Sequence, residues 1–96
     1  MPCYVDDALI PFGRMKMSHL VADTLPELHG MAILLGLKRS WFQGPPQHST
    51  PHYDVSISVR AQALVLGATP LSVKDLGRLI LGWKRAKQEV AHAQEP

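Results

Sequence analysis

Residues 24 to 37 carry both the start and the stop signal of one α-helix, and no other stretch constrains the fold as much. Thr24 and Glu27 have capping-box spacing, in which each side chain satisfies a backbone N–H at the helix start. Pro26 falls in the first turn, where its missing N–H costs nothing. Leu25, Leu28, Met31, Ala32 and Leu35 recur at helical spacing. Gly36 then supplies the left-handed residue that closes a helix, with Leu37 to pack behind it. The pattern predicts a helix over residues 24–35.

Around this helix, short β-prone runs alternate with helical ones. Residues 3–6, 17–22, 39–43 and 68–71 read as strands. A second helix is expected from near Ser56 to Gly67. A third starts at Ser72, where Asp75 repeats the capping pattern and Leu76, Leu79, Ile80 and Trp83 give an inner face. Residues 8–16, with Pro11 and Gly13, and residues 44–51, with three prolines, read as loops. This order predicts an α/β fold, a small mostly parallel sheet of about four strands flanked by three helices. The first strand either pairs antiparallel with the second through the 8–16 loop or joins the parallel set. The expected core is Val5, Leu20, Leu28, Leu35, Phe42, Leu64, Leu71, Leu76 and Ile80.

Ninety-six residues suit one domain, taken as residues 1–84, with 85–96 as a polar helix end and tail. A 46% hydrophobic, 19% charged composition excludes disorder. A net charge of +2 does not by itself imply nucleic acid. A core this small gives marginal stability or is helped by self-association, so a homo-oligomer is one expected assembly. Cys3 is the single cysteine, which excludes an internal disulfide and suits a reducing cytoplasm, the expected location. The first residues lack the basic and apolar regions of a signal peptide. No apolar run approaches the ~18 residues of a membrane span, so no membrane partner is expected.

Polar residues gather at the expected strand ends, where open α/β sheets bind ligands. The acids Asp6, Asp7 and Asp23 offer hard oxygen ligands and form the expected set for a divalent metal. His52 and Asp54 are two apart, so in extended chain they face the same way, as general acid/base partners or metal ligands do; they are the expected catalytic pair. Gln43, Arg60, His19 and Tyr53 are the expected ligand-binding residues. His19 would meet Asp6-Asp7 in a hairpin pairing, and Arg60, one turn into the second helix, would reach a phosphate or Asp54. His48 and His52 have a zinc-like spacing, but in a loop. Plainer readings stand beside these: a solvated acidic turn for Asp6-Asp7, a half-buried histidine for His19, a surface residue for His48, a helix cap for Asp54 and a surface ion pair for Arg60. Trp41-Phe42 reads as core, and Trp83 to Lys87 as a solvated helix end. Phosphate-binding glycine loops, the Gly-x-Ser-x-Gly elbow and His-Glu-x-x-His are absent.

Several segments together resemble a known family. They are Tyr4-Val5-Asp6-Asp7, Ser18-His19-Leu20 with Ala22-Asp23, Glu27-Leu28-His29, Gly36-Leu37 with Arg39, Trp41-Phe42-Gln43, His52-Tyr53-Asp54-Val55 and Leu66-Gly67-Ala68. The chain is similar over residues 2 to about 76 to the short bacterial and phage family numbered 4031 among domains of unknown function. The resemblance implies no activity. It does imply that Asp6, Asp7, His19, Asp23, His29, Gln43, His52 and Asp54 belong to one pattern, and it suggests a role in phage–host conflict.

The leading expectation is a polar Asp/His pocket that binds or hydrolyses a phosphate-containing ligand, a nucleotide or a nucleic-acid end. As an enzyme it would be a metal-dependent phosphoester hydrolase. The alternative is a non-enzymatic phage or mobile-element protein that binds a host protein or sequesters a signalling nucleotide. Convergence of the acids and histidines in space favours the first, and dispersal favours the second.

Overall fold

The computed structural model describes residues 2–93, with side chains through Lys87, so the last residues of the expected 85–96 tail lie outside the described residues. The elements are strands β1 (Cys3–Val5), β2 (Ile10–Phe12) and β3 (Met15–Ala22), helix α1 (Leu25–Leu34), a 3₁₀ turn (Arg39–Trp41), strand β4 (Tyr53–Ser56), helix α2 (Ile57–Val65), strand β5 (Thr69–Pro70) and helix α3 (Val73–Ala93).

The helices follow their local signals. The Thr24 hydroxyl accepts from the Glu27 N–H at 3.3 Å and donates to the Glu27 carboxylate at 2.6 Å. At the other end Gly36 has φ +74° and the Leu37 N–H reaches back to the Ala32 carbonyl at 2.9 Å. Ser56 caps α2 through the Val59 N–H, and Ser72 caps α3 through the Asp75 N–H.

The sheet differs from the expectation. It has five strands among the described residues and is mostly antiparallel; only β1 and β5 run parallel. Two causes are visible. Residues 8–16 are not a loop but contain β2 and the tight turn back into β3. Gly13 takes φ +60° with no positive φ at Arg14, the pattern of a type II′ hairpin turn. Pro11 is tolerated because β2 lies on an edge, where its missing N–H breaks no interior ladder. The expected strand over 39–43 is replaced by the 3₁₀ turn, and only Gln43 pairs, in one antiparallel bridge with His52. The eighteen residues 35–52 between α1 and β4 then let the chain re-enter beside β3 in the opposite direction, rather than by a βαβ crossover.

β1 and β2 form one arm against β3. Cys3 to Val5 pair with Ala22 to Leu20, and Ile10 to Phe12 pair with Met17 to Met15. Between these ladders residues 6–9 stand opposite only Ser18 and His19. The excess lifts Asp6 and Asp7 out of regular pairing, as bulges beside functional sites do.

Each sheet face is covered separately. Cys3, Val5, Leu20, Tyr53 and Val55 point towards α1 and α2 and pack with Leu28, Met31, Ala32 and Ala63. The alternate residues Tyr4, His19 and Val21 face α3, where Leu76 is buried and the Tyr4 and Trp83 rings lie 6.1 Å apart. Five of the nine expected core residues are buried; Phe42, Leu64, Leu71 and Ile80 are half-buried.

Candidate metal centre

The α3 face of the sheet carries a polar row built by strand register. β3 and β4 place His19 directly opposite Asp54. His52 lies two residues before Asp54 and therefore on the same face. Asp6 lies across from His19 on the other side, its N–H donating to the His19 carbonyl at 3.2 Å. Gln43 bridges to His52 from the next segment. One donor atom each from His19, His52 and Asp54 fall within 4.8 Å of one another.

Each of the three is held from behind. The His19 Nδ1 lies 2.6 Å from Asp6 Oδ2. The His52 Nδ1 lies 2.8 Å from the Thr50 carbonyl, and its Nε2 is 3.6 Å from Asp54 Oδ1. Gln43 Nε2 donates to Asp54 Oδ2 at 2.8 Å. Anchoring Nδ1 fixes the tautomer and leaves Nε2 of both rings to face the centre.

Asp6 is 2% exposed and is the anchor of the row. Its Oδ1 accepts from the backbone N–H of His19 at 2.8 Å and of Ala8 at 3.2 Å. Burial alone pushes its carboxyl up, but the hydrogen bonds from the His19 side chain and backbone, the His19 charge and the Ala8 N–H outweigh it and hold the group below the usual carboxylate range. His19 is raised in turn, first by its hydrogen bond to Asp6, against the opposing effect of burial. A cavity of about 260 Å³ opens over the row, floored by Asp6, His19 and His52 and walled by Val73, Leu76 and Ile80 of α3.

The remaining expected site residues fall elsewhere. The set Asp6, Asp7 and Asp23 does not form. Because β1 and β3 are antiparallel, Asp23 sits beside Pro2 at the far end of β1. Asp7 turns away and accepts from the Val73 N–H at 2.9 Å, capping α3. Arg60 donates from Nε to the Asp6 carbonyl at 2.7 Å and so fastens α2 to the bulge; it does not bond Asp54. The exposed His48 ring stands edge-on to His52, centroids 5.5 Å apart, outside the donor cluster.

Tyr53 is not a pocket residue. Alternation along β4 sends it to the opposite face, where it is 1% exposed and its hydroxyl is hydrogen-bonded to His29 Nδ1 at 2.9 Å. Burial, and then the Arg39 charge, lower the His29 pKa. The unfolded chain therefore takes up this proton first. The His29 contribution to stability is complete above the unfolded value, near 6.5, and is lost as pH falls from there through the folded value. In an NMR titration of the metal-free protein, His29 is expected to titrate below about 6.5 and His19 above it. The reverse order would contradict both environments.

The fold and this row define a small α/β domain with a sheet-borne His₂Asp cluster. The chain belongs to the family described as "Protein of unknown function (DUF4031)", whose model matches residues 3–82. All the residues of the cluster and its anchors lie inside that span. No curated protein and no solved structure matches the chain. Among the described residues, no helix is long and apolar enough to cross a membrane.

Proposed function

We propose that the protein is a metal-dependent phosphoester hydrolase with its ion held by His19, His52 and Asp54. The observation that supports this most is the triple anchoring. Asp6, the Thr50 carbonyl and Gln43 each hold one donor in the way that outer-shell partners orient metal ligands. Two imidazole nitrogens and one carboxylate oxygen suit a first-row transition ion such as Zn²⁺ better than the hard, all-oxygen set expected from the sequence. A tetrahedral ion with ~2.1 Å bonds holds its ligands roughly 3.4 Å apart. The His52–Asp54 distance of 3.6 Å is already close to that.

Three protein ligands leave a position open for water or substrate, the mark of a catalytic site rather than a structural one. An ion there supplies Lewis acidity and brings the pKa of a coordinated water near neutrality. The protein does the rest. Asp6 and Thr50 keep both rings aimed, Gln43 keeps Asp54 from rotating away, and Val73, Leu76 and Ile80 of α3 form an apolar wall on one side. A phosphoester suits a cavity of about 260 Å³ with Lys84 near its rim, where Lys84 donates to the Ser49 hydroxyl at 3.2 Å, next to the lining residue Thr50.

The test is to strip the protein with a chelator, titrate it with Zn²⁺ and Mn²⁺, and assay bis(p-nitrophenyl) phosphate. The expected result is one ion per chain and turnover that chelation removes and metal restores. Turnover indifferent to chelation would refute the metal role. Tight binding of one ion with no turnover of any phosphoester would refute the hydrolase and leave a binding protein.

A further inference from the structure

We infer that Lys84 holds the phosphoryl charge of the substrate at this site, and that the substrate is a phosphodiester, which carries a single negative charge. The inference rests on the proposed metal-dependent hydrolysis and adds to it a binding residue and a substrate class.

Position around the axis of α3 singles out Lys84. Val73, Leu76, Gly77 and Ile80 line the cavity. At 3.6 residues per turn, Lys84 falls about 30° from their mean direction and about 6 Å along the axis beyond Ile80. Lys74, Arg78 and Arg85 fall more than about 100° away, on the outer face of the helix. Lys87 returns to the inner side, but about 10 Å past Ile80. Lys84 is therefore the inward cation nearest the cavity.

Its contacts agree with its position. Lys84 Nζ donates to the Ser49 hydroxyl at 3.2 Å. Ser49 precedes Thr50, which lines the cavity and whose carbonyl holds His52 Nδ1 at 2.8 Å. The ammonium thus lies over the short loop that aims a metal ligand. It is exposed, and among the described residues its partner is a neutral hydroxyl rather than a carboxylate. A phosphoryl oxygen is the stronger acceptor, because a hydrogen bond between two charged groups is shorter and stronger than one to a neutral group.

The charges around the site set the substrate class. Asp54 stands in the donor cluster and Asp6 behind it, and a divalent ion cancels both. Asp7 caps α3 and Arg60 fastens α2 at the same bulge, and their charges are opposite. With its ion the centre is close to neutral, and Lys84 adds one positive charge. A diester brings the one negative charge that Lys84 balances. A monoester is close to a dianion at neutral pH. Its second charge would stay unpaired against Val73, Leu76 and Ile80, where an unpaired charge is costly.

The test compares K84Q with S49A, which cuts the tie between α3 and the loop but keeps the ammonium. Calorimetry on the Zn²⁺-loaded protein measures binding of methyl phenyl phosphate and phenyl phosphate, which differ by one methyl and one charge. Absorbance follows turnover of bis(p-nitrophenyl) phosphate and of the neutral triester diethyl p-nitrophenyl phosphate. The diester probe should bind the parent more tightly than the monoester probe. K84Q should weaken the diester probe about tenfold, as loss of one hydrogen bond to a charged group does. Its diester-to-triester ratio of kcat/KM should fall by the same factor, with the loss in KM, because the triester has no charge to hold. S49A should match the parent in both. Equal effects of K84Q and S49A would make Lys84 a tether and overturn the inference. So would an unchanged diester affinity in K84Q, tighter binding of the monoester, or no binding of methyl phenyl phosphate by a parent that cleaves esters. The calorimetric arm needs no turnover. Diester binding that K84Q weakens, in a protein that cleaves no ester, would refute the hydrolase and leave Lys84 with its role.

Discussion

Alanine at His52 is expected to remove saturable Zn²⁺ binding, and with it all metal-dependent turnover, while the protein still unfolds cooperatively. The ring is one of only two imidazoles in the donor set, and a single imidazole with one carboxylate leaves too few ligands to hold the ion. Folding should survive, because His52 lies at the end of β4 on the α3 face and contributes nothing to the packed side of the sheet. Asp6→Asn gives the graded counterpart. The amide keeps the shape of the group but loses the charge behind His19, and affinity should fall by about 10–100-fold, as changes to outer-shell partners do. Calorimetric titration of both variants reads the ordering. A normal isotherm for His52→Ala would remove the proposed centre.

Leu28→Ala is expected to cost about 2–5 kcal/mol in urea unfolding, as large-to-small core changes do. Leu28 is 1% exposed, and α1 buries only it, Met31 and Ala32, while Leu25, Ile33 and Leu34 face outwards. The helix thus docks through a narrow contact, and a cavity there has few neighbours able to collapse into it. Small domains have little stability in reserve, so the variant should be near its folding limit. A loss below about 1 kcal/mol would mean that α1 does not depend on that contact.

What could be read from the sequence follows the range of the interactions. Helix limits are set within a turn or two, so Thr24, Gly36, Ser56, Gly67 and Ser72 marked them directly. The strands depend on partners far along the chain. Pro11 and Gly13 look like loop residues until β3 is placed beside them, because a proline on a sheet edge and a glycine in a hairpin turn have the same composition as a loop. Trp41-Phe42-Gln43 has strand-forming side chains, but only Gln43 finds a partner. Tyr53-Asp54-Val55-Ser56 has a period-two pattern, but it runs straight into the helix start at Ser56, and only pairing with β3 makes it a strand.

The site shows the same division. His52 and Asp54 sharing a face follows from their spacing alone. The contact of His19 with Asp6 follows only from the hairpin alternative. Grouping Asp6, Asp7 and Asp23 required parallel strands, and antiparallel pairing of β1 with β3 puts Asp23 at the opposite end. Gln43 and Thr50 as anchors depend on a bridge and a loop path that no local pattern encodes.

The mismatch of four residues against two between β1–β2 and β3 bears on how the protein meets its ion. His19 and Asp54 stand opposite each other on β3 and β4, with Asp6 in the bulge that follows β1, and a slip of β3 by one residue would turn His19 into the apolar side. The cluster therefore exists in one alignment only, and that alignment is complete once the chain has folded. Metal binding should be close to rigid-body capture, with little backbone ordering left to occur. Its calorimetric signature should be a heat-capacity change near zero, unlike the large negative change of sites that fold around their ligand.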